Sequence, residues 1–93
     1  MKNNVKVLKL ITGEEVITRV TEGDAGFIIL DEPMQIHTVS DHQTNHLRFI
    51  LIPFMKIIKT KKITISTDHI LVEDDPIEGI EKDYLSIITG LTL

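Results

Sequence analysis

Residues 5–36, VKVLKLITGEEVITRVTEGDAGFIILDEPMQI, constrain the fold more tightly than any other stretch of the chain. Three apolar, β-branched runs lie there, separated by two glycine-marked turns, Thr12-Gly13-Glu14 and Gly23-Asp24-Ala25-Gly26. Residues of this type suit pleated, half-buried backbone, so each run reads as a strand. A connection of about four residues can only return the chain beside itself, because a parallel neighbour needs a crossover of about a dozen. The opening is therefore an antiparallel meander, with strands at residues 5–11, 15–22 and 27–36.

Side-chain alternation assigns faces to these strands. In the first, Val5, Val7 and Ile11 share a face with Lys9, while Leu8 and Leu10 share the other with Lys6, which predicts partial cover on both sides. In the second, Val16, Thr18 and Val20 face the core, and Glu15, Ile17, Arg19 and Thr21 form a wet side. The third places Ile28, Leu30, Met34 and Ile36 on one inner face. Pro33 lacks a ladder donor and predicts a bulge or an edge beside it. Residues 37–46, HTVSDHQTNH, are polar and aperiodic and read as a loop at the end of a long hairpin.

A fourth strand follows at 47–54, LRFILIPF, apolar on both faces apart from Arg48. A strand covered on both sides needs a second layer, and in a domain of 93 residues that layer is expected from a neighbouring subunit. Residues 56–62 form a basic connector before a fifth strand at 63–73. The period then changes: Ile77, Ile80, Tyr84, Ile87, Ile88 and Leu91 recur at three- and four-residue steps, which predicts an amphipathic helix over 77–89. Asp74 or Asp75 is its expected cap, Pro76 its first residue and Gly90 its stop, with the apolar stripe docked at the open end of a barrel. Gly79 weakens the first turn, so regular helix is expected from Ile80. Five short strands and one helix amount to a mainly β fold, a small, strongly bent antiparallel barrel of the SH3-like or OB-like kind, in a single domain.

Composition narrows the function. The chain has no cysteine, which excludes disulfides, thiolate metal sites and cysteine nucleophiles. It holds no apolar tract of about 18 residues and no leader pattern, so a soluble cytoplasmic protein is expected. The formal charge of −4 argues against general affinity for phosphate backbones, yet Lys56, Lys59, Lys61 and Lys62 cluster in one connector, opposed by Glu73, Asp74, Asp75, Glu78, Glu81 and Asp83.

The chain resembles the Sm-like family (LSm and Hfq-like proteins). Gly13-Glu14-Glu15-Val16 is similar to the glycine turn and second strand of the first family motif, and Phe27-Ile28-Ile29-Leu30-Asp31-Glu32 to its third strand. The likeness covers residues 5–36 and, more weakly, 63–74. It departs where the family's Asn falls on Phe27 and where its Arg-Gly signature falls near Ser66-Thr67. The helix is also at the C-terminal side, whereas family members begin with one. A Pro-aromatic strand end, lysine-rich connector and tail helix with Tyr are similar to divergent Sm-like proteins of tailed phages, cyanophages among them. The resemblance implies a homo-oligomeric ring in which the fourth strand pairs with the fifth of the next subunit, with Phe49, Leu51, Phe54, Ile70 and Val72 at the interface. It also implies a pore that binds single-stranded RNA.

Lys56, Lys59, Lys61 and Lys62 are the first candidates for contact with RNA or DNA, through salt-dependent phosphate binding. Phe27, on a glycine-rich turn beside Asp24, is the second, as a stacking platform for a base; core or interface packing is the competing reading. His37, His42 and His46 lack a helical period, so no metal and no cofactor is expected. Glycine-rich phosphate loops, nucleophile elbows and a carboxylate pair in one pocket are missing from the sequence, and Asp31-Glu32 and Glu14-Glu15 are each expected to point to opposite faces, so catalysis is not expected. The alternative function is an SH3-like structural or assembly module of a phage that binds protein partners through an edge strand.

Overall fold

The computed structural model describes residues 4–44, 46–55 and 61–90. They form a mainly β protein built from β1 (Val5–Leu10), β2 (Glu15–Glu22), β3 (Phe27–Ser40), β4 (Leu47–Pro53), β5 (Lys62–Ser66) and β6 (Ile70–Asp74), followed by helix α1 (Glu78–Thr89). Every pairing is antiparallel, in the order β4-β3-β2-β1-β6 with β5 also on β3, and the sheet is not closed. The meander of β1, β2 and β3 is as expected from its two short turns.

The long strand β3 organises the rest. Its register with β2 shifts between Ile17↔Met34 and Arg19↔Asp31, so Thr18 alone opposes both Glu32 and Pro33. This is the bulge that Pro33 predicts, and Glu32 takes φ +55°, a conformation that costs a side-chain-bearing residue about 1–3 kcal/mol. An extra residue in a strand reverses the facing of everything beyond it. Ile28 and Leu30 therefore join Leu8, Leu10 and Val16 in one core, whereas Met34 joins Val5 and Ile17 in another, with Ile36 packed against it. The four residues expected on a single inner face are divided between two.

α1 covers the second core with Ile80 and Tyr84 buried, and with Leu85 and Ile88 packed against it. It lies on the sheet face over β1, β2 and β3, not at an open barrel end. For that reason Ile17, expected on a wet side, is wholly buried. Ile77 and Ile87 remain exposed, and Leu91 lies outside the described residues. The helix starts at Glu78, with Ile77 in the capping position making no side-chain cap bond, so Asp74, Asp75 and Pro76 do not have the expected roles. Asp75 instead binds Lys6 Nζ and ties the β6 end to β1. Gly90 does end the helix, at φ +71°.

Tyr84 joins helix to bulge. Its hydroxyl lies 3.1 Å and 2.9 Å from the carbonyl oxygens of Asp31 and Glu32 as a donor, and accepts from the Arg19 N–H at 3.2 Å. Burial pushes the phenol pKa up to about 12, against smaller opposing effects of the Arg19 N–H and guanidinium.

Two further differences concern strand limits. β3 runs on to Ser40, so residues 37–40 are strand; pairing with β4, from Ser40↔Leu47 to Met34↔Pro53, overrides their polar character. The expected strand over 63–73 is two strands, because a 3₁₀ turn at Thr67–His69 carries the chain from β3, where β5 pairs, to β1, where β6 pairs. The first strand ends at Leu10.

Tyr84→Phe keeps the ring but strands the Arg19 N–H, so urea unfolding should show a loss of about 1–3 kcal/mol. Because the folded state favours the neutral phenol, its contribution of about 3 kcal/mol is complete below the unfolded-state pKa of 10 and is lost as pH rises toward about 12. Tyr84 is the only tyrosine and tryptophan is absent, so tyrosinate absorbance during alkaline titration reads this group alone. In α1, an added Cβ at Gly79 meets nothing within 4 Å and the backbone is helical, so Gly79→Ala should stabilise by about 0.5–1 kcal/mol. Gly90→Ala, forced into a left-handed conformation, should destabilise by about 1 kcal/mol.

Candidate nucleic-acid interface

The β2–β3 turn begins where Gly23 N–H meets the Phe27 carbonyl at 3.3 Å. Inside it, Phe27 N–H donates to the Asp24 carbonyl at 2.9 Å, and Gly26 at φ +84° supplies the positive φ that a type II turn needs at its third position. Asp24 is thus turn chemistry, as its glycine-rich setting suggests. A side chain at Gly23 would place its Cβ 3.3 Å from the Phe27 carbonyl oxygen, so the two strands meet closely here.

Beyond the turn, β3 is flanked on both edges. Phe27, Ile29 and Asp31 stand opposite Ser66, Thr64 and Lys62 of β5, while Ile29 and Asp31 also oppose Thr21 and Arg19 of β2. Directly opposed residues share a face, so these side chains make one outer surface. It is the continuation, past the bulge, of the face that α1 covers. Phe27 is 49% exposed there, and an open cleft is lined by Glu22, Gly23, Asp24, Phe27, Ile29 and Thr64. The structure therefore brings Asp24 and Phe27 together, with Lys62 two residues along β5 from Thr64, roughly 7 Å away.

At the bulge the surface becomes ionic. Arg19 Nη2 lies 3.0 Å from Asp31 Oδ2 and 2.8 Å from Glu32 Oε2, and Lys61 Nζ lies 3.2 Å from Glu32 Oε1. Asp31 and Glu32 do not point to opposite faces, because the bulge turns both toward one guanidinium. Sequence reasoning missed this cluster; its one signal was a basic residue on β2 facing an acidic pair beside Pro33. Lys61 is consequently partly neutralised, although its side chain is 79% exposed.

Lys56 and Lys59 lie outside the described residues. Among the described residues on either side, Phe54 N–H donates to Pro33 O at 3.1 Å, and Lys61 O accepts from Glu32 N–H at 2.7 Å. β4 and β5 consequently share one edge of β3, the chain leaving it after Phe54 and rejoining at Lys61. Of the five residues expected at a subunit interface, Leu51 packs on the core under α1, and Phe54 and Ile70 on the other core. Phe49 and Val72 are 42% and 55% exposed. His37, His42 and His46 are exposed, and no group of three or more potential metal ligands occurs among the described residues. No helix among them is long and apolar enough to cross a membrane.

Because its ring is half in solvent, Phe27→Ala should cost about 1 kcal/mol or less on denaturant unfolding, whereas Leu30→Ala in the core should cost about 2–5 kcal/mol. A loss as large at Phe27 as at Leu30 would show that the ring is structural. Comparison with known proteins leaves this surface to be read from its own chemistry: no family model and no curated protein matches the chain.

Proposed function

We propose that the protein is a non-catalytic, self-assembling module, an Sm-like or SH3-like barrel completed by its neighbours, that binds single-stranded RNA or DNA. The observation that carries this reading is a pair of outer sheet edges of opposite character. On one side, β4 has exposed Phe49 and Ile50 with Arg48, and β5 begins with Lys62, just after Lys61. On the other, β6 has exposed Leu71 and Val72 with Glu73 and Asp74. Each edge ends the sheet, so head-to-tail pairing of β4 with β6 of a second copy joins apolar to apolar and basic to acidic. Repetition closes a ring or grows a fibre, and a ring repeats Lys61 and Lys62 once per subunit, which would concentrate positive charge locally despite the acidic total. Phe27 supplies a stacking platform, and Lys62, on the same face, a phosphate contact.

The alternative, an assembly module binding other proteins, is favoured by β4 itself. Its seven residues carry a single charge, Arg48, and so lack the charged side chains that usually protect an edge strand.

Light scattering should give a mass several times 10.6 kDa, and Ile50→Lys, altering an exposed side chain, should reduce it to that of one chain. Polarisation titrations with U-rich and A-rich oligomers should show affinity falling with salt, with a logarithmic slope of about −0.7 per phosphate contacted. A parent protein that stays a single chain and binds neither oligomer at low salt overturns the proposal. Assembly without oligonucleotide binding would favour the protein-binding alternative.

A further inference from the structure

Resting on the assembly reading above, we infer that a second copy docks its β6 on β4 antiparallel and turned over, in the register Arg48↔Asp74 and Ile50↔Val72. The face that α1 covers in one copy then continues into the opposite face of the next.

The sense of the two edge strands limits how copies can meet. β4 and β6 end the described sheet and are separated by four antiparallel pairings, so they run in the same sense. Copies set side by side with α1 on one common face bring β4 and the neighbouring β6 together in parallel. Antiparallel pairing requires the neighbour to be turned over.

Alternation and register then assign a face to each edge residue. On β4, Phe49 shares a face with Leu51, which packs under α1, whereas Arg48 and Ile50 lie on the opposite face. On β6, Asp74 opposes Val7, also packed under α1, and Val72 opposes Lys9 on that same face. Glu73 opposes Leu8 of the other core.

In the parallel arrangement residues on like faces meet. Phe49 beside Val72 then sets Ile50 beside Glu73, Leu51 beside Asp74 and Arg48 beside Leu71, while Phe49 beside Asp74 leaves only residues 47–49 of β4 in contact. In the turned-over arrangement Arg48 meets Val72 or Asp74. Against Val72, the single charge of β4 lies on an apolar side chain and Glu73 falls on Leu47. Against Asp74, Ile50 falls on Val72, Leu51 on Leu71 and Ile52 on Ile70, so all five residues of β6 are paired and only Phe49, on Glu73, meets an unlike partner. Opposite charges and paired apolar side chains directly across a ladder favour that register. Ile50, Val72 and Leu71 are 45%, 55% and 63% exposed and lose solvent on pairing. Asp74 Oδ1 accepts from the Asp75 N–H at 2.8 Å, which leaves Oδ2 to accept from the Arg48 guanidinium.

The chain has no cysteine, so single replacements at exposed positions report proximity directly. An equal mixture of Ile50→Cys and Val72→Cys, oxidised with diamide, should give a disulfide-linked species of twice 10.6 kDa, because directly opposed residues come within disulfide reach. Either variant oxidised alone should stay unlinked, and a mixture of Phe49→Cys and Val72→Cys, the parallel contact, should link far less. By light scattering, Arg48→Asp should reduce the mass to that of one chain, and adding Asp74→Arg in the same chain should restore the parent mass. In a parent that assembles, absence of the Ile50→Cys/Val72→Cys link, preference for the Phe49→Cys/Val72→Cys link, or an Arg48→Asp variant of unchanged mass overturns the register and leaves the assembly standing. A parent that stays a single chain overturns the assembly reading and this inference with it.

Discussion

The contact between the Tyr84 hydroxyl and the backbone of the β3 bulge is the interaction on which the remaining structure depends. A bulge leaves carbonyl groups without ladder partners, and a buried carbonyl without a donor is costly. Tyr84 reaches Asp31 and Glu32 from the helix, while its oxygen accepts the Arg19 N–H left over on β2. One side chain thus satisfies groups on two strands and anchors α1 to the sheet. The left-handed backbone at Glu32 is retained because its surroundings hold it on every side: Lys61 O accepts its N–H, and Arg19 and Lys61 pair with its carboxylate.

From that bulge the two-core arrangement follows. Before it, even-numbered residues of β3 face Leu8, Leu10 and Val16; after it they face the helix. A short chain thereby uses both faces of one curved sheet, one curling on itself and the other capped by α1. The helix is twelve residues long and covers only part of its face. The part beyond the bulge, with Phe27, Ile29, Thr64 and Lys62, stays in solvent, and the Arg19–Asp31–Glu32–Lys61 cluster marks the boundary. The candidate interface is therefore the portion of a sheet face that a short helix leaves bare.

The sheet edges have a related origin. β4 and β5 occupy successive lengths of the same edge of β3 because the chain leaves that edge at the bulge and returns six positions later in register, from Met34↔Pro53 to Asp31↔Lys62. The lysine-rich segment is what lies between. At the opposite end of the sheet, β6 has its own apolar and acidic outer strand. Two edges of this kind, one basic and one acidic, leave unpaired backbone groups along both limits of the open sheet.

Much of this was legible beforehand. Gly13 and the Gly23–Gly26 turn, with the β-branched runs between them, were enough to order the first three strands, since short turns permit no other path. Pro33 marked the bulge because a residue without an N–H cannot hold a regular ladder, and Gly90 marked the helix end because it tolerates a left-handed backbone. Asp24 and Phe27 were identifiable as a turn with an aromatic beside it. What pattern alone could not decide was the facing of residues beyond the bulge: alternation counts by twos, and one extra residue sent Met34 and Ile36 to a different core and brought Asp31 and Glu32 onto the same arginine. The strand character of residues 37–40, the burial of Ile17 and the pairing of Asp75 with Lys6 were likewise decided by partners distant in sequence. Local chemistry determined where this chain turns and stops; only tertiary contacts decided which side of each strand meets the helix, because that depends on register between strands and not on any residue by itself.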